Sequence, residues 1–86
     1  MTAEQLVDIA KLFCMEHKVR ITNYAALAAA ATAASARIDG IAVHATVEQS
    51  ARALGTTLQR LEPLSAKNRE FALTCMEIFL RVTNVA

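Results

Sequence analysis

Residues 62–84 read E-P-L-S-A-K-N-R-E-F-A-L-T-C-M-E-I-F-L-R-V-T-N, and they contain the only proline of the chain. After the proline, apolar residues recur at helical spacing on two faces. One face carries Leu64, Phe71, Ala72, Cys75, Ile78, Phe79 and Val82, and the second carries Leu73, Met76 and Leu80. A helix that is apolar nearly all round is buried among other elements. The stretch therefore predicts a helix, running to about residue 83, at the centre of an all-α fold.

Polar capping residues mark where the other helices start. Thr2 and Gln5, in T-A-E-Q, have the spacing of a capping box, in which the hydroxyl and the amide each bond a backbone N–H. A second such pattern, T-V-E-Q, begins at Thr46, and Pro63 ends that helix because the residue before a proline disfavours the α region. The predicted helices cover residues 3–17, about 24–36 after Thr22 or Asn23, 46 to before Pro63, and 65 to about 83 with Ser65 as the cap.

Two segments are predicted to connect these helices. Residues 19–21 lie in V-R-I-T-N, and their β-branched character indicates an extended connector. Residues 37–45, R-I-D-G-I-A-V-H-A, contain the turn pair Asp39-Gly40. A tight hairpin is the alternative there, but a loop is preferred because one short strand has no obvious partner.

The fold prediction is a single all-α domain over residues 1–86, a compact four-helix bundle with the C-terminal helix central. Contacts of the first and third helices with the fourth are expected to dominate the core. The predicted core residues are Leu6, Ile9, Phe13, Leu27, Leu54, Leu58, Leu64, Phe71, Cys75, Ile78 and Phe79.

Composition and charge limit the function classes. The net charge is +1, and no basic patch with interleaved aromatic residues is present, so no nucleic-acid partner is expected. No apolar run approaches the roughly 20 residues of a membrane span, and the acidic start M-T-A-E-Q does not suit a signal peptide, so a cytoplasmic protein is expected. Hydrophobic residues make up 55% of the chain, which predicts either a protein partner or homodimer that covers apolar surface, or simply an excess of alanine.

The cysteines and histidines form no recognisable chemical site. Cys14 and Cys75 each lie on the apolar side of a predicted helix and are interpreted as reduced core residues. His17 falls at a helix end and His44 in a loop, without a nucleophile at a suitable spacing, so both are interpreted as surface or capping residues. No Cys/His spacing matches a zinc site, and no metal is expected.

The junction before the last helix carries a resemblance to a known family. Residues 58–70 read L-Q-R-L-E-P-L-S-A-K-N-R-E, and they resemble the pattern L-A-R-x-H-x-L/F-x-D-G-N-K-R of the Fic/Doc (fido) family, specifically its death-on-curing branch of toxin–antitoxin pairs. The segment I-T-N-Y-A-A-L-A-A-A-A-T-A is similar to the family's R-D-Y-G-L-L-x-A-A-x-A, and I-D-G-I-A-V-H to its F-G-x-x-x-Y loop. The helix that follows resembles the family's apolar helix, which ends F-L-x-x-N-G. Matching positions between residues 21 and 84 are Tyr24, Leu27, Leu58, Arg60, Leu64, Asn68, Phe79 and Leu80. The resemblance implies the Fic/Doc helical core.

The departures from the family pattern fall on its chemistry. The family's motif histidine acts as a general base toward a hydroxyl, and Glu62 occupies that position. The acidic residue that holds Mg²⁺ is replaced by Ala66, and the glycine that lets the backbone approach phosphate is replaced by Lys67. Because nothing then organises a triphosphate, no cofactor is expected.

Only part of the motif is retained. Asn68 matches, Arg69 stands in for a basic residue, and Glu70 in the first helical turn repels an anion that the helix N-terminus would otherwise attract. Glu62, Asn68 and Arg69 are therefore interpreted as vestigial, with no catalytic residue. The resemblance implies a catalytically degenerate Doc-like protein that acts by protein–protein interaction. The alternatives are a divergent Fic/Doc nucleotide-dependent transferase that modifies a protein, and an unrelated helical dimerisation module.

Overall fold

The structure is a computed structural model, and it describes residues 1–35, 37–38, 41–42 and 46–83. This part of the chain contains α1 (Ala3–His17), α2 (Tyr24–Ala34), β1 (Arg37–Ile38), β2 (Ile41–Ala42), α3 (Val47–Leu61) and α4 (Asn68–Thr83). The predicted all-α four-helix bundle is confirmed for these residues.

Side-chain caps fix the starts of the first three helices. At α1 the capping box is complete: the Gln5 N–H donates to the Thr2 hydroxyl at 3.1 Å, and the Thr2 N–H donates to the Gln5 side-chain oxygen at 2.8 Å. Asn23 caps α2 by accepting from the Ala26 N–H at 3.2 Å, which decides between the two capping residues considered. Thr46 caps α3 as predicted.

The segment between α2 and α3 contains a minimal hairpin, so the preference for a loop was wrong there. β1 pairs antiparallel with β2, with Arg37 opposite Ala42 and Ile38 opposite Ile41. The physical reason is that each short strand finds its partner within the same segment, on the other side of the predicted turn. The turn pair Asp39-Gly40 and His44 lie outside the described residues.

The helices form a ring in which α3 packs along both α2 and α4, and these two contacts are the most extensive. The alanines of α2 allow this close packing, since Ala26, Ala30 and Ala31 are all buried. Phe71 of α4 is fully buried and tilts against Phe13 of α1, with ring centroids 5.2 Å apart. The confirmed core residues are Leu6, Phe13, Leu27, Leu54, Leu58, Leu64, Phe71, Cys75 and Phe79.

The expected dominance of the α1–α4 contact was wrong, because this is the smallest of the interhelical contacts. A groove separates the two helices, so Ile9 and Ile78, predicted as core residues, are only half-buried and line it. The α4 helix is not buried all round either: Leu73 is 52% exposed and Val82 is 67% exposed. Leu73 lies on the outer side of α4, whereas Val82 lies at the end of the helix on the side that lines the groove.

Gly55 permits the close approach of α3 and α4. A Cβ atom added to this residue would lie 2.2 Å from the Met76 sulfur and 2.8 Å from the Met76 Cγ. Met76 of α4 thus fills the space that a side chain at position 55 would occupy.

Candidate functional site

The α3–α4 junction begins where α3 ends in a left-handed residue. Glu62 has φ 47° and ψ 67°, and its N–H donates to the Leu58 carbonyl at 3.1 Å, closing the last turn. Pro63 follows and is fully buried, which stops the helix and turns the chain inward. Leu64 is buried as well. The junction is therefore anchored in the core immediately after α3.

Asn68 holds the loop that follows in shape. Its side-chain oxygen accepts from the Leu64 N–H at 2.9 Å, and its side-chain nitrogen donates to the Leu64 carbonyl at 3.0 Å. One amide thus satisfies both backbone groups of a buried residue, which is the geometry of a structural clamp. Asn68, which matches the family pattern, therefore has a structural role: it holds the backbone of the loop in place.

The junction is also tied to the connector between α1 and α2. Ile21 and Leu64 form an antiparallel bridge, the Ser65 N–H donates to the Arg20 carbonyl at 2.8 Å, and the Arg20 N–H donates to the Ser65 hydroxyl at 3.0 Å. The Thr22 hydroxyl donates to the Pro63 carbonyl at 3.2 Å. Residues 19–21 connect α1 and α2 as predicted, but the sequence did not predict that this connector would pair with the distant junction.

Ser65 does not cap α4, and that prediction was wrong. Its hydroxyl is engaged with Arg20, and α4 begins three residues later, at Asn68. The first helical bond instead joins the Phe71 N–H to the carbonyl of Lys67 at 3.0 Å, and Lys67 has a left-handed φ of 59°. A serine that satisfies a neighbouring connector cannot also reach the helix N-terminus.

The charged side chains of the junction point into solvent. Glu62, Lys67, Arg69 and Glu70 are all exposed, as is Ala66. Among the described residues the ion pair that forms is Glu77 with Arg81, one turn apart on α4. The structure thus brings Asn68 into contact with Leu64 but does not bury Glu62 or Arg69 in a shared polar site. Within the described part of the chain, no group of His, Cys, Asp and Glu residues has the arrangement of a metal site.

A groove between α1 and α4 is the feature that the sequence did not predict. It has a volume of about 280 Å³ and lies at the end of the molecule where α1 starts and α4 ends. Its lining residues are Met1, Gln5, Asp8, Ile9, Ile78, Phe79 and Val82. The sequence carried no local signal for it, because Ile9 and Ile78 have the helical spacing of core residues.

His17, Cys14 and Cys75 are each at least half-buried. His17 is half-buried and stacks on the Phe13 ring, with centroids 4.1 Å apart. Both cysteines are free thiols, and burial raises the pKa of Cys75 to about 12 and raises the pKa of Cys14 above its ordinary value. A thiolate is therefore disfavoured at both positions.

No protein-family model, curated protein or solved structure matches this chain. In the part of the chain that the structure describes, none of the helices is long and apolar enough to cross a membrane. The fold and the junction define the chain as a small four-helix domain in which two connectors are bonded together at one end and a groove opens at the other.

Proposed function

We propose that this chain is a catalytically inactive Fic/Doc-type protein that acts by contact with another protein, in a toxin–antitoxin or phage-associated module. The observation that carries the proposal is the backbone of the α3–α4 loop. Lys67 occupies the position where the family pattern has glycine, and it keeps a left-handed φ of 59°, a conformation that favours glycine. The loop thus has the backbone conformation that glycine favours, although a lysine occupies the position.

The side chains of the loop support the inactive part of the proposal. Ala66 offers no ligand atom for Mg²⁺, and a lysine side chain at position 67 obstructs the close backbone approach that a glycine would allow. Glu62 is exposed at the end of α3, so nothing holds it toward a substrate hydroxyl. Asn68 is retained because the loop needs its two hydrogen bonds to Leu64.

The test is to restore the family motif by a triple substitution, Glu62→His, Ala66→Asp and Lys67→Gly. Isothermal titration with ATP and Mg²⁺ is expected to detect no binding to the natural chain at about 1 mM ATP, and to detect metal-dependent binding to the triple variant. Glu62→His with Lys67→Gly, which still lacks the metal ligand, is the matched control and should not gain binding. Tight, metal-dependent binding by the natural chain would overturn the inactive site.

A second experiment addresses the transferase alternative. Incubation with radiolabelled ATP and a cell extract is expected to label no target. If labelling appears, its loss on Glu62→Gln or Arg69→Ala would assign activity to this junction, because both side chains are exposed and their replacement leaves the fold intact. Asn68→Ala is unsuitable for this purpose, since it also removes the two bonds that shape the loop.

A helical dimerisation module unrelated to the Fic/Doc family is the second candidate. It is favoured by two large apolar side chains on the outside of α1, Leu12 and Met15, which are 68% and 78% exposed. The triple variant separates the two candidates. A folded triple variant that gains no nucleotide binding favours the unrelated module, and a gain favours the Fic/Doc type.

A further inference from the structure

We draw no further inference here: the strongest candidate, the apolar groove between α1 and α4, carries none because nothing in the described part of the structure shows what covers it.

Discussion

In the part of the chain that the structure describes, three non-glycine residues adopt left-handed backbone conformations, and all three flank the bonded connectors. Lys18 ends α1 with φ 56°, Glu62 ends α3 with φ 47°, and Lys67 precedes α4 with φ 59°. A side chain in this region meets its own backbone, which is why glycine is favoured there. The left-handed conformation of each residue therefore costs a small amount of folding free energy, which the surrounding hydrogen bonds offset.

Lys67→Gly is expected to stabilise the fold by about 0.5–1 kcal/mol, because glycine adopts the left-handed conformation without steric cost. The measurement is the free energy of unfolding from urea denaturation. Ala66→Gly is the control: Ala66 does not have a positive φ, so the added flexibility of glycine should lower stability. Equal effects at the two positions would contradict the conformational explanation.

The Cys75 thiol is expected to make stability depend on alkaline pH. Burial raises its pKa to about 12 from an ordinary 9.0, so above pH 9.0 the unfolded chain loses this proton while the folded chain keeps it. The contribution is fully present below pH 9.0 and is lost as pH rises toward 12, at up to about 1.4 kcal/mol per pH unit.

Urea unfolding measured at several pH values on either side of pH 9.0 checks this expectation. Cys75→Ala should have a flatter profile than the natural chain in the alkaline range, because it lacks the titrating group. Every other ionisable group is present in both proteins, so the difference between the two profiles isolates the thiol. Identical slopes would mean that the folded Cys75 thiol ionises as easily as the unfolded one.

At the scale of elements, α3 and α4 are held at close range by a glycine facing a methionine. The space that a side chain at Gly55 would fill is occupied by the Met76 sulfur and Cγ. Glycine in a helix interior costs about 1 kcal/mol relative to alanine, so the contact with Met76 offsets an intrinsic weakness of α3.

Gly55→Ala is expected to raise the free energy of unfolding by clearly less than the roughly 1 kcal/mol gain in helix propensity, because the Met76 side chain must shift away from the added Cβ atom. In a Met76→Ala background the same substitution should raise stability by about 1 kcal/mol, since the obstructing atoms are gone. Thermal or urea unfolding of the four proteins forms a double-mutant cycle. An equal effect of Gly55→Ala in both backgrounds would exclude the steric coupling.

The connectors are the second element-scale feature, and they join parts of the chain that are distant in sequence. The bridge between Ile21 and Leu64, with the bonds between Arg20 and Ser65, closes one end of the bundle. These bonds satisfy backbone groups that a surface loop would leave to water. The position of the α4 N-terminus follows from this closure.

In the molecule as a whole, the pairs of neighbouring helices differ in how extensively they pack. The α3 helix packs along α2 and α4, whereas α1 and α4 diverge and leave the groove. Substitutions that remove the same amount of apolar side chain should therefore differ in cost according to which pair they touch.

Leu58→Ala, at a fully buried position of α3, is expected to cost about 3 kcal/mol, because it removes transfer energy and leaves a cavity. Ile9→Ala, at the half-buried groove, should cost about 1 kcal/mol, since that side chain is already partly in water. Urea unfolding of the two variants and the natural chain measures both costs. An equal cost would mean that the groove is closed in solution.

The sequence by itself determined the helices and most of the core. Helical spacing, the capping box at Thr2 and Gln5, and the stop at Pro63 are local effects, so the bounds of α1 and α3 could be predicted from neighbouring residues. The conformation at Lys67 and the role of Asn68 could not, because each depends on how the loop returns to Leu64.

Tertiary structure alone decided where Ser65 bonds, which helices pack together and where the groove lies. Ser65 has the sequence context of a helix cap, but the α1–α2 connector arrives beside it and takes its hydroxyl. Ile9 and Ile78 have the spacing of core residues, but α1 and α4 diverge where they lie. Periodicity specifies which face of a helix is apolar, whereas the distance to the next helix is set by packing over the whole bundle.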